Sequence, residues 1–309
     1  MFESHRLQVR RTRGWVAALS VLGTLLISAL SPSAHALPVG TEEELRLAEE
    51  QALLYPPTWE ELEAAAVDYT AIVALSNCSG SLVRFKTSRT SDNAMVLTNG
   101  HCVGGFIPAG TAYVNQASSR SFNLLSSGGT STLGTLRAQS LIYGTMTGTD
   151  MALYKLTSTY AQIAARYRVA PLTISDSHPV AGTAIRVVSG FWRRIYSCTI
   201  SKFVSELREG SWSWTDSIRY SQPGCEVIGG TSGSPIISVD SREVIGINNT
   251  GNESGGRCTV NNPCEVDAMG NVTFEKGASY GQQLYQLYSC FNDTGALDLN
   301  IAGCKLQKP

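Results

Sequence analysis

The chain has 309 residues, enough for one large domain or two modest cores, and 25 acidic against 24 basic side chains leave a formal net charge of -1. The basic residues are scattered instead of gathered on one run, which excludes a nucleic-acid footprint, and a single long apolar run excludes a multi-spanning membrane protein. With 29 glycines, 11 prolines, 16% charged residues and many short Val/Ile/Thr/Tyr runs, the composition favours an all-β body over a helical one.

In chain order, Arg6, Arg10, Arg11 and Arg13 precede an apolar run over residues 15–30, and Ala34-His35-Ala36 follows with the small-x-small pattern of a signal-peptidase site. The run is short for a membrane span of about 20 residues. Residues 1–36 therefore read as a signal peptide, and the product is expected to be secreted, extracellular and free of a membrane anchor after cleavage near Leu37. Residues 37–66 then carry eight acidic side chains against Arg46 alone. Two T-x-x-E capping boxes, Thr41 to Glu44 and Thr58 to Glu61, flank Tyr55-Pro56-Pro57 and predict two short acidic helices. This segment is either a removable pro-region or an N-terminal extension.

From Tyr69 the pattern changes to strands. Apolar runs over 71–75, 81–85, 94–98, 110–114, 135–143 and 151–156 are separated by Ser/Asn/Gly turns. A mixed stretch over 157–179 ends in Ser175-Asp176-Ser177-His178-Pro179, and residues 166–179 read as a linker. A second series follows at 184–188, 195–203, 217–220, 235–239 and 243–248. The fold class is thus all-β: two antiparallel six-stranded barrels, the first over 67–165 and the second over 180–309. Within the second, Leu284, Leu287 and Tyr288 have helical spacing and predict a short C-terminal helix over 281–288, before a cysteine-bearing tail. All eight cysteines lie beyond the signal segment, an even number that reads as up to four disulfides. There is no C-x-x-C, and only His101 and His178 remain outside the leader, so no metal and no cofactor is expected.

Three stretches carry chemistry. Gly229-Gly230-Thr231-Ser232-Gly233-Ser234-Pro235 leads into an apolar, β-branched run, so Ser232 sits on a tight turn feeding a strand. Such a turn suits a nucleophilic serine flanked by free backbone N–H groups, although a Gly/Ser hairpin turn has the same composition. Val96-Leu97-Thr98-Asn99-Gly100-His101-Cys102 ends an apolar strand with a histidine, a candidate general base. Thr149-Asp150-Met151-Ala152-Leu153-Tyr154 opens a buried-looking strand with an aspartate able to orient an imidazole. Each signal is weak alone, and the set in the order His, Asp, Ser is not.

On these motifs the chain resembles the chymotrypsin-like (trypsin-like) serine peptidases, in particular the secreted bacterial branch that includes glutamyl endopeptidases and actinomycete trypsin-like enzymes. The resemblance covers roughly residues 69–288. It implies two Greek-key barrels with the active site in the cleft between them, and an endopeptidase acting on protein or peptide substrates through an acyl-enzyme. Ser232 would be the nucleophile, His101 the base and then acid, and Asp150 the residue that fixes the histidine tautomer. The backbone N–H groups of Gly230 and Ser232 would form the oxyanion hole. Cys78 and Cys102 match the family disulfide that ties the histidine loop to a neighbouring strand. For the other six cysteines Cys198–Cys225, Cys258–Cys264 and Cys290–Cys304 are favoured among 15 pairings.

Departures from the resembled pattern matter for mechanism and specificity. Thr231 stands where animal trypsin-like enzymes have an aspartate that pairs with a freed N-terminus, so that route of activation is closed. The substrate-binding edge would be Asn249, Thr250 and Gly251, to which an extended peptide adds as a strand. Asn248 occupies the position of a histidine in glutamate-specific relatives, which argues against that specificity. Glu226, six residues before Ser232, falls by counting where trypsin-like enzymes keep an acid for Lys or Arg, or is a surface charge beside Cys225. Residues 252–272 read as a disulfide-pinned loop on the pocket rim, with a hairpin turn at 267–271. The competing functions are an inactive peptidase-like binding protein and a serine esterase, the latter disfavoured because α/β-hydrolases place the serine first. The protein is expected to act as a monomer.

Overall fold

The computed structural model describes residues 41–54, 69–292 and 295–309. The signal peptide expected over residues 1–36 and the second acidic helix expected over residues 58–66 lie outside the described residues. The first acidic box is present: the Thr41 backbone N–H donates to Glu44 Oε2 at 2.7 Å, and the Glu44 N–H returns to Thr41 Oγ1 at 3.3 Å. It opens helix α1, Glu42–Leu54.

The body is built from antiparallel strands. Strands β1 (Ile72–Ala74), β2 (Ser79–Arg84), β3 (Asn93–Thr98), β4 (Ala112–Ala117), β5 (Ser121–Leu125), β6 (Thr132–Thr145) and β7 (Met151–Thr159) come first. Pairing in the order β1-β5-β6-β7-β3-β2 returns to β1, which closes a six-stranded antiparallel barrel, and β4 pairs with the C-terminal half of β6 beyond the part that β5 takes. Helix α2 (Tyr160–Tyr167) and the short strand β8 (Leu172–Thr173), parallel to β2, make the crossing to the second half. There, β9 (Ala184–Ser189), β10 (Arg194–Glu209), β11 (Trp212–Tyr220), β12 (Pro235–Ser238) and β13 (Val244–Gly251) are followed by β14 (Cys264–Val266), β15 (Val272–Thr273) and β16 (Ser279–Gln283). The order β11-β16-β13-β12-β9-β10 closes again onto β11, a second six-stranded ring, with β14 and β15 added to β10.

Strands β3 and β7 of the first barrel are largely buried on both faces for a physical reason. Because side chains alternate along a strand, Val96 of β3 and Ala152, Tyr154 and Leu156 of β7 fill the barrel interior, while Leu97, Met151 and Leu153 point the other way. That outer face packs against Val244, Ile247, Leu284 and Leu287 of the second half, so the two barrels share one buried seam. Ile185, Val187, Ile218, Tyr220 and Ile236 fill the second barrel. Four disulfides pin the periphery: Cys78–Cys102, Cys198–Cys225, Cys258–Cys264 and Cys290–Cys304. No helix among the described residues is long and apolar enough to cross a membrane.

One expected element is corrected. Residues 281–283 belong to strand β16, and only Tyr285–Cys290 is helical, as a 3-10 turn. Long-range pairing outweighs the helical spacing, because β16 is the strand that closes the second ring between β11 and β13. The turn also packs on both halves: Phe85 lies edge-on to Tyr288 at 5.2 Å, and the Tyr288 hydroxyl donates to the Ile174 carbonyl at 2.8 Å.

Candidate active site

His101 leaves β3 on a 3-10 turn, Gly100–Cys102, that packs so closely on the end of β6 that only glycine fits at position 100. A Cβ there would lie 2.0 Å from the Thr145 carbonyl oxygen. The Cys78–Cys102 bridge fastens the other side of the turn to β2. Asp150, fully buried at the start of β7, grips the histidine twice. Its Oδ1 accepts the His101 backbone N–H at 3.1 Å, and its Oδ2 lies 2.7 Å from Nδ1. A carboxylate can only accept there, so the proton sits on Nδ1 and Nε2 is left as a base. Burial pulls the His101 pKa down, but the charge and hydrogen bond of Asp150, with a smaller contribution from Glu209, raise it above its ordinary value.

The serine turn is held from several sides. Thr231 N–H donates to the Ile228 carbonyl and Ser234 N–H to Thr231, while Gly233 N–H and the Asn248 carbonyl join the turn to β13. Ser79 N–H donates to the Ser232 carbonyl at 2.8 Å, linking this turn to the start of β2, next to Cys78. Gly233 has φ +80°, and a Cβ on it would lie 2.2 Å from the Ser79 carbonyl oxygen. Among the described residues, the N–H groups of Gly230 and Ser232 donate to no protein acceptor. The Ser232 hydroxyl donates to the Asn249 carbonyl at 3.3 Å.

Trp192, from the β9–β10 connection, and Ser79 of β2 hold two carbonyls of the turn. Trp192 Nε1 donates to the Gly229 carbonyl at 2.7 Å. The Trp192 N–H donates to Ser189 Oγ, which lies 3.1 Å from Ser79 Oγ, and Ser79 Oγ in turn donates to the Gly230 carbonyl at 3.4 Å. The carbonyls of Gly229 and Gly230 are thereby both engaged.

The cleft is completed by a reach across the barrels. The long β10–β11 hairpin lays Trp212 and Trp214 on the first barrel, their indole N–H groups donating to the Ile107 and Met146 carbonyls at 2.9 Å each. Gly148 N–H donates to the Ser213 carbonyl, and Thr215 N–H to the Gly148 carbonyl. This clamps the loop that delivers Asp150. His101, Asp150 and Ser232 line one cleft together with Asn248, Asn249, Thr250 and Gly251. Asn248 is turned inward, its Oδ1 accepting from the Tyr220 hydroxyl at 3.0 Å. Glu226 is exposed and does not line the cleft; Val227, Ile228 and Gly229 do. Sequence reasoning missed Trp192, Trp212, Trp214 and Glu209, the last a buried carboxylate in the same lining. Cys78, His101 and Cys102 lie close enough to suggest a metal site, but both sulfurs are spent in their disulfide.

A family model described as a trypsin-like peptidase domain matches residues 78–247, more than half of the chain and a span that includes His101, Asp150 and Ser232. The chain belongs to this family. Among solved structures it is similar to the MamO protease domain from Magnetospirillum magneticum, at 16% identity over 72% of this chain and 97% of that one, with a TM-score of 0.45. It is also similar to a Nocardiopsis protease, at 17% identity over 71% and 93% of the two chains with a TM-score of 0.41. A third likeness is Thermobifida fusca protease A, at 17% identity over 71% and 92%, with a TM-score of 0.37. No curated protein sequence matches the chain. The chain is a serine peptidase by family and all-β, two-barrelled, by fold.

Proposed function

We propose that the protein is a secreted serine endopeptidase that forms an acyl-enzyme on Ser232. The observation that carries this reading is the two-point hold of Asp150 on His101 in the cleft where Ser232 stands beside two unengaged N–H groups. A peptide docks as a strand on residues 249–251, and the Ser232 hydroxyl turns from the Asn249 carbonyl toward His101 Nε2. As Oγ attacks the scissile carbonyl carbon, its proton passes to Nε2, and the developing oxyanion takes the N–H groups of Gly230 and Ser232. Collapse expels the amine, which takes the Nε2 proton; water then repeats the sequence and frees the acid. Asp150 stabilises the transient imidazolium throughout.

Secretion is part of the same proposal, supported by four disulfides, which persist in oxidising compartments. Incubating the mature protein with a denatured polypeptide and reading the fragments by mass spectrometry tests the activity. Internal cleavage by the wild type and none by Ser232→Ala is expected; equal fragment yields from both would overturn it. N-terminal sequencing of the exported product separates a start near Leu37 from one beyond residue 66, and so an extension from a removed pro-region.

A further inference from the structure

The cleft contains an acid that the triad does not use. Glu209 ends β10, is only 7% exposed, and shares the lining with His101 and Ser232. Its Oε2 accepts from Thr250 Oγ1 at 2.6 Å and its Oε1 from the Asn261 N–H at 2.8 Å. Both donors are neutral, and among the described residues no lysine or arginine pairs with it. Burial pushes its carboxyl pKa up, with the two hydrogen bonds acting against that shift. The charge of a protonated His101 also acts against that shift, but while His101 is neutral no cation lines the cleft, and a buried carboxylate without a counter-charge is costly unless one arrives.

The surroundings are suited to one. No lysine or arginine lines the cleft, while Asp150, Glu209 and the rim residue Glu253 all do. Phe106 and Trp212, with ring centroids 5.1 Å apart, and Val260 line the same cleft as the carboxylate, an apolar surface for the stem of a long basic side chain, and aromatic rings also attract its charge. Thr250, the middle residue of the edge on which substrate docks, holds Glu209 in place.

We propose that Glu209 forms a cation-binding subsite, so that the peptidase favours a lysine or arginine one residue before the residue whose carbonyl is attacked. This rests on the peptidase reading above. Side chains of a docked strand alternate, so when one enters the pocket beside Ser232 the preceding one lies over His101, on the side of Thr250 and Glu209.

The test uses two internally quenched peptides that differ only by lysine or methionine at that position, with the cleaved bond verified by mass spectrometry and rates expressed per fluorophosphonate-titrated site. The wild type should favour the lysine peptide in kcat/KM, and Glu209→Gln should reduce that preference about tenfold or more, the range for losing a charge-assisted contact. A preference unchanged in Glu209→Gln would overturn the subsite and leave Glu209 as a brace for the loop around Asn261. Where the variant is too unstable to assay, the wild type decides: equal rates on the two peptides overturn the proposal. Labelled wild type that cleaves both peptides equally refutes the subsite alone, whereas protein that neither labels nor cleaves refutes the peptidase reading beneath it.

Discussion

Replacing Trp192 by phenylalanine removes one N–H and keeps an aromatic ring against Phe191, whose centroid lies 4.9 Å away. The lost contact is the 2.7 Å bond to the Gly229 carbonyl. A trans peptide sets its C=O and N–H on opposite sides, so holding that carbonyl on the indole turns the Gly230 N–H away from it, which is the orientation the oxyanion hole needs. Trp192 is 47% exposed, and water competes for the same carbonyl, so the bond is worth about 1 kcal/mol net. That predicts roughly a fivefold fall in kcat. The ceiling is the full loss of one oxyanion donor, on the order of 3 kcal/mol or 100-fold. Because the donor acts mainly on the transition state, KM should change little. Steady-state kinetics on an amide substrate, paired with inhibition by a peptidyl aldehyde, reads this out: aldehyde affinity should weaken in step with kcat. A kcat within twofold of wild type, or a rise in KM with kcat held, would refute the latch.

Four further outcomes follow from the same geometry. Asp150→Asn should lower kcat by about 10⁴, the cost of the wrong histidine tautomer in Ser-His-Asp enzymes, while thermal unfolding still shows one folded transition. Since His101 must be neutral to act as base and its pKa is raised above 6.5, kcat/KM should climb through an inflection above that pH. The matching stability increment from the His101–Asp150 pair is complete below pH 6.5 and is lost as pH rises through the raised value; a flat melting temperature across that window would contradict the pairing. Gly233→Ala meets both a positive φ and a Cβ 2.2 Å from the Ser79 carbonyl oxygen, and should cost about 3 kcal/mol or more, a drop of roughly 6–12 °C by calorimetry.

The two-ring fold was legible because short strands separated by Gly/Ser/Asn turns leave a period-2 signal, and the three cleft residues were legible because each sits in a locally distinctive stretch. What was hidden depends on distant pairing. Nothing in Arg208-Glu209-Gly210 singles the glutamate out in the sequence, and only the reach of β10 and β11 onto the first barrel carries Glu209 into the cleft. Trp192 likewise acquires its partner, Gly229, 37 residues away. Helix α2 did leave a mark, the box of Thr159 and Gln162, whose side chains accept each other's backbone N–H groups at 3.2 and 2.8 Å. It lay within a stretch of otherwise mixed character. Of the two readings of Glu226 the exposed side chain fits the surface charge, because counting back from Ser232 ignores how the approach to the turn is folded: Cys225 is buried there and its neighbour faces solvent.

Covalent labelling tests the central claim most directly. Mature protein treated with a fluorophosphonate should gain one adduct by intact mass, mapped to Ser232 by peptide sequencing, and Ser232→Ala should gain none while Ser234→Ala still reacts. An unlabelled wild type, or an adduct on Ser234, would contradict the account.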